Sequence, residues 1–203
     1  MATKYTGLVV RLLAASLLFN TLNCGKKCTE TTYSFNLPVK AYIDKDSIKI
    51  GDTIWLEINE PVVLRNSDGS MVNYSGAENL GSAIAFGVYN SSINSWQNEN
   101  PNSFILLLSD DRGRIINQNN INIEYGFLEK DGRYLFKLAV IPKKIGKFSI
   151  LFSNSNNTFR SNDKCTKANF IIQFENTNQH YPLNPFYVPG TNPKGGDYYF
   201  VVK

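Results

Sequence analysis

The alternation of apolar and polar residues constrains the fold of this chain more than any other feature. Ile48 and Ile50, then Ile54, Leu56 and Ile58, are separated by single polar or amphipathic residues. A period of two places such side chains on one face of a β-strand. No segment beyond residue 24 keeps a 3.6-residue period, and strong helix formers are scarce there. The pattern predicts an all-β protein.

Further alternating stretches predict strands along the rest of the chain. They are Ser82–Tyr89, Phe104–Ser109, Asn120–Phe127, Tyr134–Ile141, Lys147–Phe152, Asn169–Phe174 and Tyr198–Val202. Asp131-Gly132 lies between two apolar runs and predicts a hairpin turn. Three segments are predicted to lack strands: Ile93–Gln97 forms a helical turn, Asn154–Asp163 a long polar hairpin loop, and the proline-rich Tyr181–Gly196 an irregular surface segment.

The number and spacing of these strands predict one domain. About ten short strands with regular turn signals are typical of an antiparallel β-sandwich. The stretch from Ile141-Pro142 to Gly146 and Ile150 resembles a motif of immunoglobulin-like domains, in which proline ends one strand and glycine begins the next. We therefore predict an antiparallel immunoglobulin-like β-sandwich as a single domain over residues 37–203. A closed barrel of the lipocalin type is the alternative.

The N-terminus has the pattern of an export signal. Lys4 and Arg11 precede the apolar run Leu12–Phe19, which is too short to span a bilayer. Leu22-Asn23-Cys24-Gly25 resembles the lipobox of bacterial lipoproteins, in which the cysteine carries the lipid and becomes the first residue of the mature chain.

This resemblance implies a cleavable lipoprotein signal peptide over residues 1–23, lipidation of Cys24 and a tether over residues 24–36. Two or three acyl chains hold a protein stably at a membrane. Two alternatives remain open. The leader could be cut as an ordinary signal, with Cys24 free or disulfide-bonded, or it could form a buried helix or strand.

Lipidation of Cys24 leaves two cysteines, Cys28 and Cys165. Disulfides persist in exported proteins, so we predict a bridge between these two. Cleavage removes Lys4 and Arg11, which lowers the formal net charge of +4 by two. A nearly neutral exported chain without an arginine-rich face is not expected to bind nucleic acid.

The sequence offers few groups for catalysis, so we predict no enzyme activity, no catalytic residues, no metal and no cofactor. The one histidine, His180, lies among polar residues and is interpreted as a hydrogen-bonded loop residue. Carboxylate pairs such as Asp110-Asp111, Asp44 with Asp46, and Glu57 with Glu60 leave a hydrolase or a calcium site as minor alternatives.

Aromatic residues give the clearest indication of binding. Trp96 lies in the polar stretch Ser91–Glu99, and an exposed tryptophan among asparagines is a common platform for a sugar or peptide. Trp96 and Tyr89 are therefore the candidate ligand-binding residues, although packing of Trp96 at the end of the sandwich is the alternative. Trp55 falls on the face opposite Ile54 and Leu56 and is expected to be packed.

Several stretches together resemble a family of uncharacterised Bacteroidetes lipoproteins. They are Tyr33–Val39, Lys45–Glu57, Asn73–Ala77 with Asn79–Gly81, Cys165–Ala168 and Asn176–Tyr181. The resemblance implies a lipid anchor and an envelope location, and it carries no activity. We predict a binding or interaction module, anchored to the outer membrane and facing the periplasm. Its ligand would be a glycan, a peptide or another envelope protein, and a structural subunit of an outer-membrane assembly is the alternative.

Overall fold

The computed structural model describes residues 28–43, 45–175, 178–190 and 196–203. The chain divides into two compact units, Met1–Glu30 and Thr31–Lys203. Of the first unit, the described residues 28–30 are exposed and have no regular secondary structure. The predicted signal peptide and Cys24 lie outside the described residues, so both stay predictions. None of the helices in the described ranges is long and apolar enough to cross a membrane.

The second unit is built almost entirely of strands. The described ranges contain β1 Thr31–Tyr42, β2 Ser47–Ile48, β3 Ile54–Pro61, β4 Val63–Arg65, β5 Met71–Asn73, β6 Gly81–Asn90, β7 Ser95–Glu99, β8 Phe104–Leu108, β9 Arg114–Gln118, β10 Asn122–Gly126, β11 Leu128–Lys130, β12 Arg133–Pro142, β13 Gly146–Phe152, β14 Ser155–Arg160, β15 Asp163–Phe174 and β16 Tyr198–Val202. Two short 3₁₀ helices, Pro101–Ser103 and Asn178–Leu183, complete them.

The strands form two seven-stranded sheets and a separate hairpin, β4–β5. Sheet 1 has the order β11-β12-β3-β1-β15-β14, and β8 also pairs with β12. Sheet 2 has the order β2-β16-β13-β6-β10-β9, and β7 also pairs with β6. Most neighbours are antiparallel, but β1 with β15 and β2 with β16 are parallel. Two open sheets exclude the closed barrel.

One apolar core lies between the sheets. Alternate residues of each central strand are fully buried, as with Ile54, Leu56 and Ile58 on β3 and Phe148 and Ile150 on β13. Opposed inner faces that interdigitate in this way define a β-sandwich. The predicted immunoglobulin-like β-sandwich is confirmed.

The Asp131-Gly132 hairpin is also confirmed. It joins β11 to β12, and both residues have positive φ, 51° and 69°. A two-residue turn with both φ angles positive matches the twist of the flanking strands, and aspartate followed by glycine is well suited to it. The last predicted strand, Tyr198–Val202, has the bounds that the structure shows.

The domain begins earlier than the predicted boundary at residue 37. Strand β1 starts at Thr31, and Phe35 and Leu37 are fully buried. Residues 31–36 therefore belong to sheet 1 rather than to the tether. The sequence did not predict this strand, because Pro38 lies inside it and proline is rare inside strands.

Two other local predictions are wrong. Ile93–Gln97 is not a helical turn, because Ser95–Glu99 forms β7 and pairs with β6. Asn154–Asp163 is not a loop throughout, because Ser155–Arg160 forms β14 beside β15. Both strands are mostly polar and lack an alternating apolar pattern, and each is held by a ladder with a longer neighbouring strand.

The predicted disulfide is confirmed: Cys28 and Cys165 are bonded. The bridge closes a loop of roughly 140 residues. For a loop of that length, chain entropy alone gives a stabilisation of up to about 5 kcal/mol.

Candidate functional site

Tyr89 and Trp96 lie on adjacent strands of sheet 2. They face each other across the β6–β7 ladder, with ring centres 5.6 Å apart. The Trp96 ring also lies 5.4 Å from the ring of Tyr199 on β16. Gly87 leaves room for the Ser149 hydroxyl, which a Cβ there would approach to 2.5 Å, whereas the same Cβ would lie 3.4 Å from the Trp96 ring, an ordinary contact. Trp96 is therefore a half-buried strand residue.

A polar network connects Trp96 to the chain that follows β15. The Trp96 indole N–H donates to Asn184 Oδ1 at 3.2 Å, and Asn184 Nδ2 donates to the Tyr199 hydroxyl at 3.2 Å. Burial raises the pKa of the Asp197 carboxyl, which lies 3.4 Å from the same hydroxyl. These contacts give Trp96 a packing role, and ligand binding by Trp96 and Tyr89 stays a prediction.

The outer face of sheet 1 carries an apolar row that the sequence analysis did not single out. Register places Tyr42, Trp55, Ala139 and Leu107 side by side on four adjacent strands, β1, β3, β12 and β8. Tyr42 is 50% exposed, Trp55 38% and Leu107 54%, whereas Ala139 is buried between its larger neighbours. We call these four residues the Trp55 row. Trp55 is on the predicted face of its strand but is exposed rather than packed.

Charged side chains border the Trp55 row on one side. Glu57 forms an ion pair with Arg112 and accepts a hydrogen bond from Tyr42. Burial, and then this bond to Glu57, raises the pKa of the Tyr42 hydroxyl. The Lys137 ammonium lies 5.0 Å from the centre of the Trp55 ring, in cation–π geometry.

A cavity of about 340 Å³ opens beside this row. Trp55, Leu107 and Leu108 give it an apolar wall, and Ser109, Asp111, Arg112 and Lys137 give it a polar one. The hydroxyl of Ser109 donates to Asp111 at 2.7 Å and lowers the pKa of that carboxyl. An apolar centre with a charged border has the composition of a protein interface.

A larger groove, of about 660 Å³, lies where β1 and β3 separate. The hairpin β4–β5 covers one side of it, and outward residues of β1 and β15 form the other. Glu60 lines the groove near the end of β3. Burial raises the pKa of this carboxyl, and the nearby charges of Lys40 and Arg133 oppose the rise. We call this space the β1–β4 groove.

The candidate catalytic groups are not assembled into a site. Glu57 and Glu60 are three positions apart on β3, so their side chains leave opposite faces of the strand. His180 is buried in the 3₁₀ helix, with Nδ1 3.3 Å from Asp46 Oδ1. Asp44 lies outside the described residues. Across the described parts of the chain, no three histidine, cysteine, aspartate or glutamate side chains are placed to hold a metal ion.

Fold and surface together define an immunoglobulin-like β-sandwich with an exposed apolar row on one sheet. No protein-family model matches the sequence, and the search of curated proteins gave no match. Among solved structures, a type II cohesin domain from the cellulosome of Acetivibrio cellulolyticus is similar at 14% sequence identity and a TM-score of 0.22. The match covers 59% of this chain and 76% of the cohesin chain. At this level of similarity, the function has to be argued from the residues of the chain itself.

Proposed function

We propose that this protein is a non-catalytic interaction module and that a protein partner docks on the Trp55 row. The observation that supports the proposal is the exposure of Trp55, Tyr42 and Leu107 side by side on a sheet face. An antiparallel sheet face open to water normally carries polar residues. At the centre of protein–protein interfaces, tryptophan, tyrosine and arginine are the residues that most often dominate the free energy of binding.

The arrangement around Trp55 favours a protein over a glycan. A sugar stacks on a free aromatic face, whereas Lys137 lies over the Trp55 ring. Exposed Ile105 and Leu107 extend the apolar surface along β8, away from the ring. A surface of this shape and composition suits the apolar side chains of another protein.

We also propose where in the cell this module acts. Lipidation of Cys24 would tether the sandwich to the bacterial outer membrane, on its periplasmic side, where an envelope protein would be the partner. The lipobox-like sequence around Cys24 and the confirmed disulfide, a bond typical of exported proteins, support this location. Cys24→Ala should move the protein from the membrane to the soluble fraction, and acyl labelling that persists in the variant would contradict the assignment.

Crosslinking in intact cells tests the interaction. Full-length protein should crosslink to a defined partner, and Trp55→Ala combined with Leu107→Asp should lower the yield by about tenfold or more. Ile145→Ala is the matched control, because Ile145 is exposed but lies in the turn between β12 and β13. Equal yields from the double variant and the control would refute the proposed surface.

A stable complex would favour the alternative of a structural subunit. The same crosslinked partner would then co-purify through detergent extraction with fixed stoichiometry. A partner seen only by crosslinking would indicate transient binding by a free-standing module.

A further inference from the structure

Strand β8 is an open edge of sheet 1 that consists only of apolar residues. It pairs with β12 on one side, and the ladders and bridges of the described residues give it no neighbour on the other. Soluble proteins normally protect such an edge with a lysine, a proline or another charged group, which prevents pairing with a foreign strand. The five residues Phe104–Leu108 include none of these. β8 therefore has the composition of an edge that accepts another strand.

The ladder with β12 fixes which backbone groups of β8 point outward. Ser109 N–H donates to the Lys137 carbonyl at 3.0 Å, and an equivalent bond joins the strands at the other end of the ladder. Because backbone direction alternates, the N–H and C=O groups of Leu106 and Leu108 face the open side. No hydrogen bond to these groups is found within the described part of the chain. The N–H of Phe104 is bonded within the preceding 3₁₀ helix.

Strand β9 of sheet 2 extends beyond β8 and forms a ledge. Every residue of β9 is exposed, so no described strand of sheet 1 covers it. Ile115 pairs with Tyr125, whose ring packs on Phe136 of sheet 1, so Ile115 lies on the inner face of its sheet. It is nevertheless 54% exposed. A Cβ on Gly113, one residue before β9, would come within 3.0 Å of the Leu108 side chain, which places the ledge beside the open edge of β8.

Edge and ledge together have room for one more strand. A strand that pairs with Leu106 and Leu108 lies over the inner face of β9, and its alternate side chains cover Ile115. Pairing of the β8 edges of two copies would bring both projecting β9 strands into the same space. The geometry therefore suits a single strand from a different protein.

We propose that the open edge of β8 accepts an extended strand of a partner protein, with uncharged apolar side chains at the alternate positions that face β9. Hydrogen bonds to the backbone of Leu106 and Leu108 supply the affinity. Contacts with Ile115 and with the half-buried side chains of β8 supply the specificity. This division between backbone and side chains is general for strand addition.

The edge of β8 is separate from the Trp55 row, so the two proposals can fail independently. The row uses side chains on the outer face of sheet 1, whereas the edge uses backbone groups and the inner face. Trp55→Ala should leave strand binding unchanged, and Leu106→Pro should leave crosslinking through the Trp55 row unchanged.

Selection from random linear peptides of about ten residues tests the inference without assuming a sequence. The full chain, purified in detergent, should select peptides in which apolar residues alternate. A selected peptide is then synthesised with one N-methyl group at each position in turn. Methylation at alternate residues, whose N–H groups face β8, should lower the affinity about tenfold or more. Methylation at the intervening residues should have little effect.

Two variants of Leu106 test the edge itself. Leu106→Pro and Leu106→Ala both shorten the side chain, but only proline removes the outward N–H. The ladder with β12 does not use this N–H, and proline is tolerated at open edges. The peptide should bind Leu106→Pro about tenfold or more weakly than Leu106→Ala. Circular dichroism and unfolding midpoints establish that both variants are folded.

A second pair of variants tests the ledge without changing the backbone. Ile115→Asp places a charge under the added strand and should weaken the selected peptide. Ile116→Asp is the matched control, because Ile116 is 45% exposed on the same strand and faces the other side, near Gly126.

Four results would overturn the inference. The selection could yield no peptides with alternating apolar residues, or N-methylation could have the same effect at every position. The peptide could bind equally to Leu106→Pro and Leu106→Ala, or equally to Ile115→Asp and Ile116→Asp. Self-association of the purified chain that Leu106→Pro abolishes would make the occupant a second copy and would also contradict the proposal.

Discussion

Trp55 lies directly opposite Ala139 across the β3–β12 ladder, on the outer face of sheet 1. The indole remains 38% exposed while the alanine beside it is fully buried. The larger side chains on either side, Trp55 and Leu107, close over the alanine, so the exposed apolar surface comes from these two residues and Tyr42. This pair makes the outer face of sheet 1 different from an ordinary solvated sheet.

The two tryptophans should differ in their effect on stability. Trp96→Ala removes contacts with Tyr89 and Tyr199 and the bond to Asn184, so we expect a loss of about 2 to 3 kcal/mol. Trp55→Ala should cost about 1 kcal/mol or less, because its ring is exposed. Urea unfolding measures both, and a larger loss for Trp55 would contradict the assignment of roles.

Buried tyrosines should make the protein sensitive to alkali. Burial raises the pKa of Tyr74 and of Tyr125 from 10.0 to about 12. Between these values the unfolded chain loses protons that the native state keeps, so the free energy of unfolding falls as pH rises above 10. Each tyrosine contributes a slope of about 1.4 kcal/mol per pH unit. Urea midpoints measured from pH 9 upward should show it.

Tyr125→Phe is the variant that checks this slope. It removes one titrating group and should make the alkaline loss shallower, with little change near neutral pH. A slope identical to that of the unchanged protein would mean that Tyr125 does not contribute.

Glu99 should contribute to stability only above acidic pH. Burial opposes its ionisation, but the bonds from Lys144 at 2.6 Å and Ser103 at 2.6 Å outweigh burial and lower its pKa below 4.5. The stabilisation is therefore present above pH 4.5 and is lost as pH falls through the pKa of the folded protein.

Glu99→Gln tests this pH dependence. The variant should lose about 1 to 3 kcal/mol at neutral pH, because a buried charge-assisted network is broken. The difference from the unchanged protein should narrow in acid, and unfolding curves at both pH values measure it. A constant difference would show that ionisation of Glu99 is not the cause.

The disulfide should contribute much of the stability of the fold. Changing both Cys28 and Cys165 to serine should lower the free energy of unfolding by about 3 to 5 kcal/mol. Reduction of the unchanged protein should give the same midpoint as the double variant. A large gap between the two would point to an effect of the serines themselves.

Elements with a local sequence signal were predicted, whereas elements that depend on pairing with distant strands were not. β16 was predicted to the residue, and the Asp131-Gly132 turn was found because its chemistry is local. β7 and β14 were missed, since their polar residues carry no apolar period and their pairing depends on β6 and β15. Trp55 was expected to pack because alternation gives the face of a side chain but not what covers that face.

The amino-acid sequence by itself determined the strand period, the turn chemistry and the cysteine pair, all of which depend on neighbouring residues or on simple counting. Only the tertiary structure decided that β1 joins β15 in parallel, that Tyr42, Trp55, Ala139 and Leu107 align, and that β1 and β3 separate around Glu60. These features depend on register between strands distant in sequence. Register is set by the packing of the whole core, and local sequence patterns do not encode it.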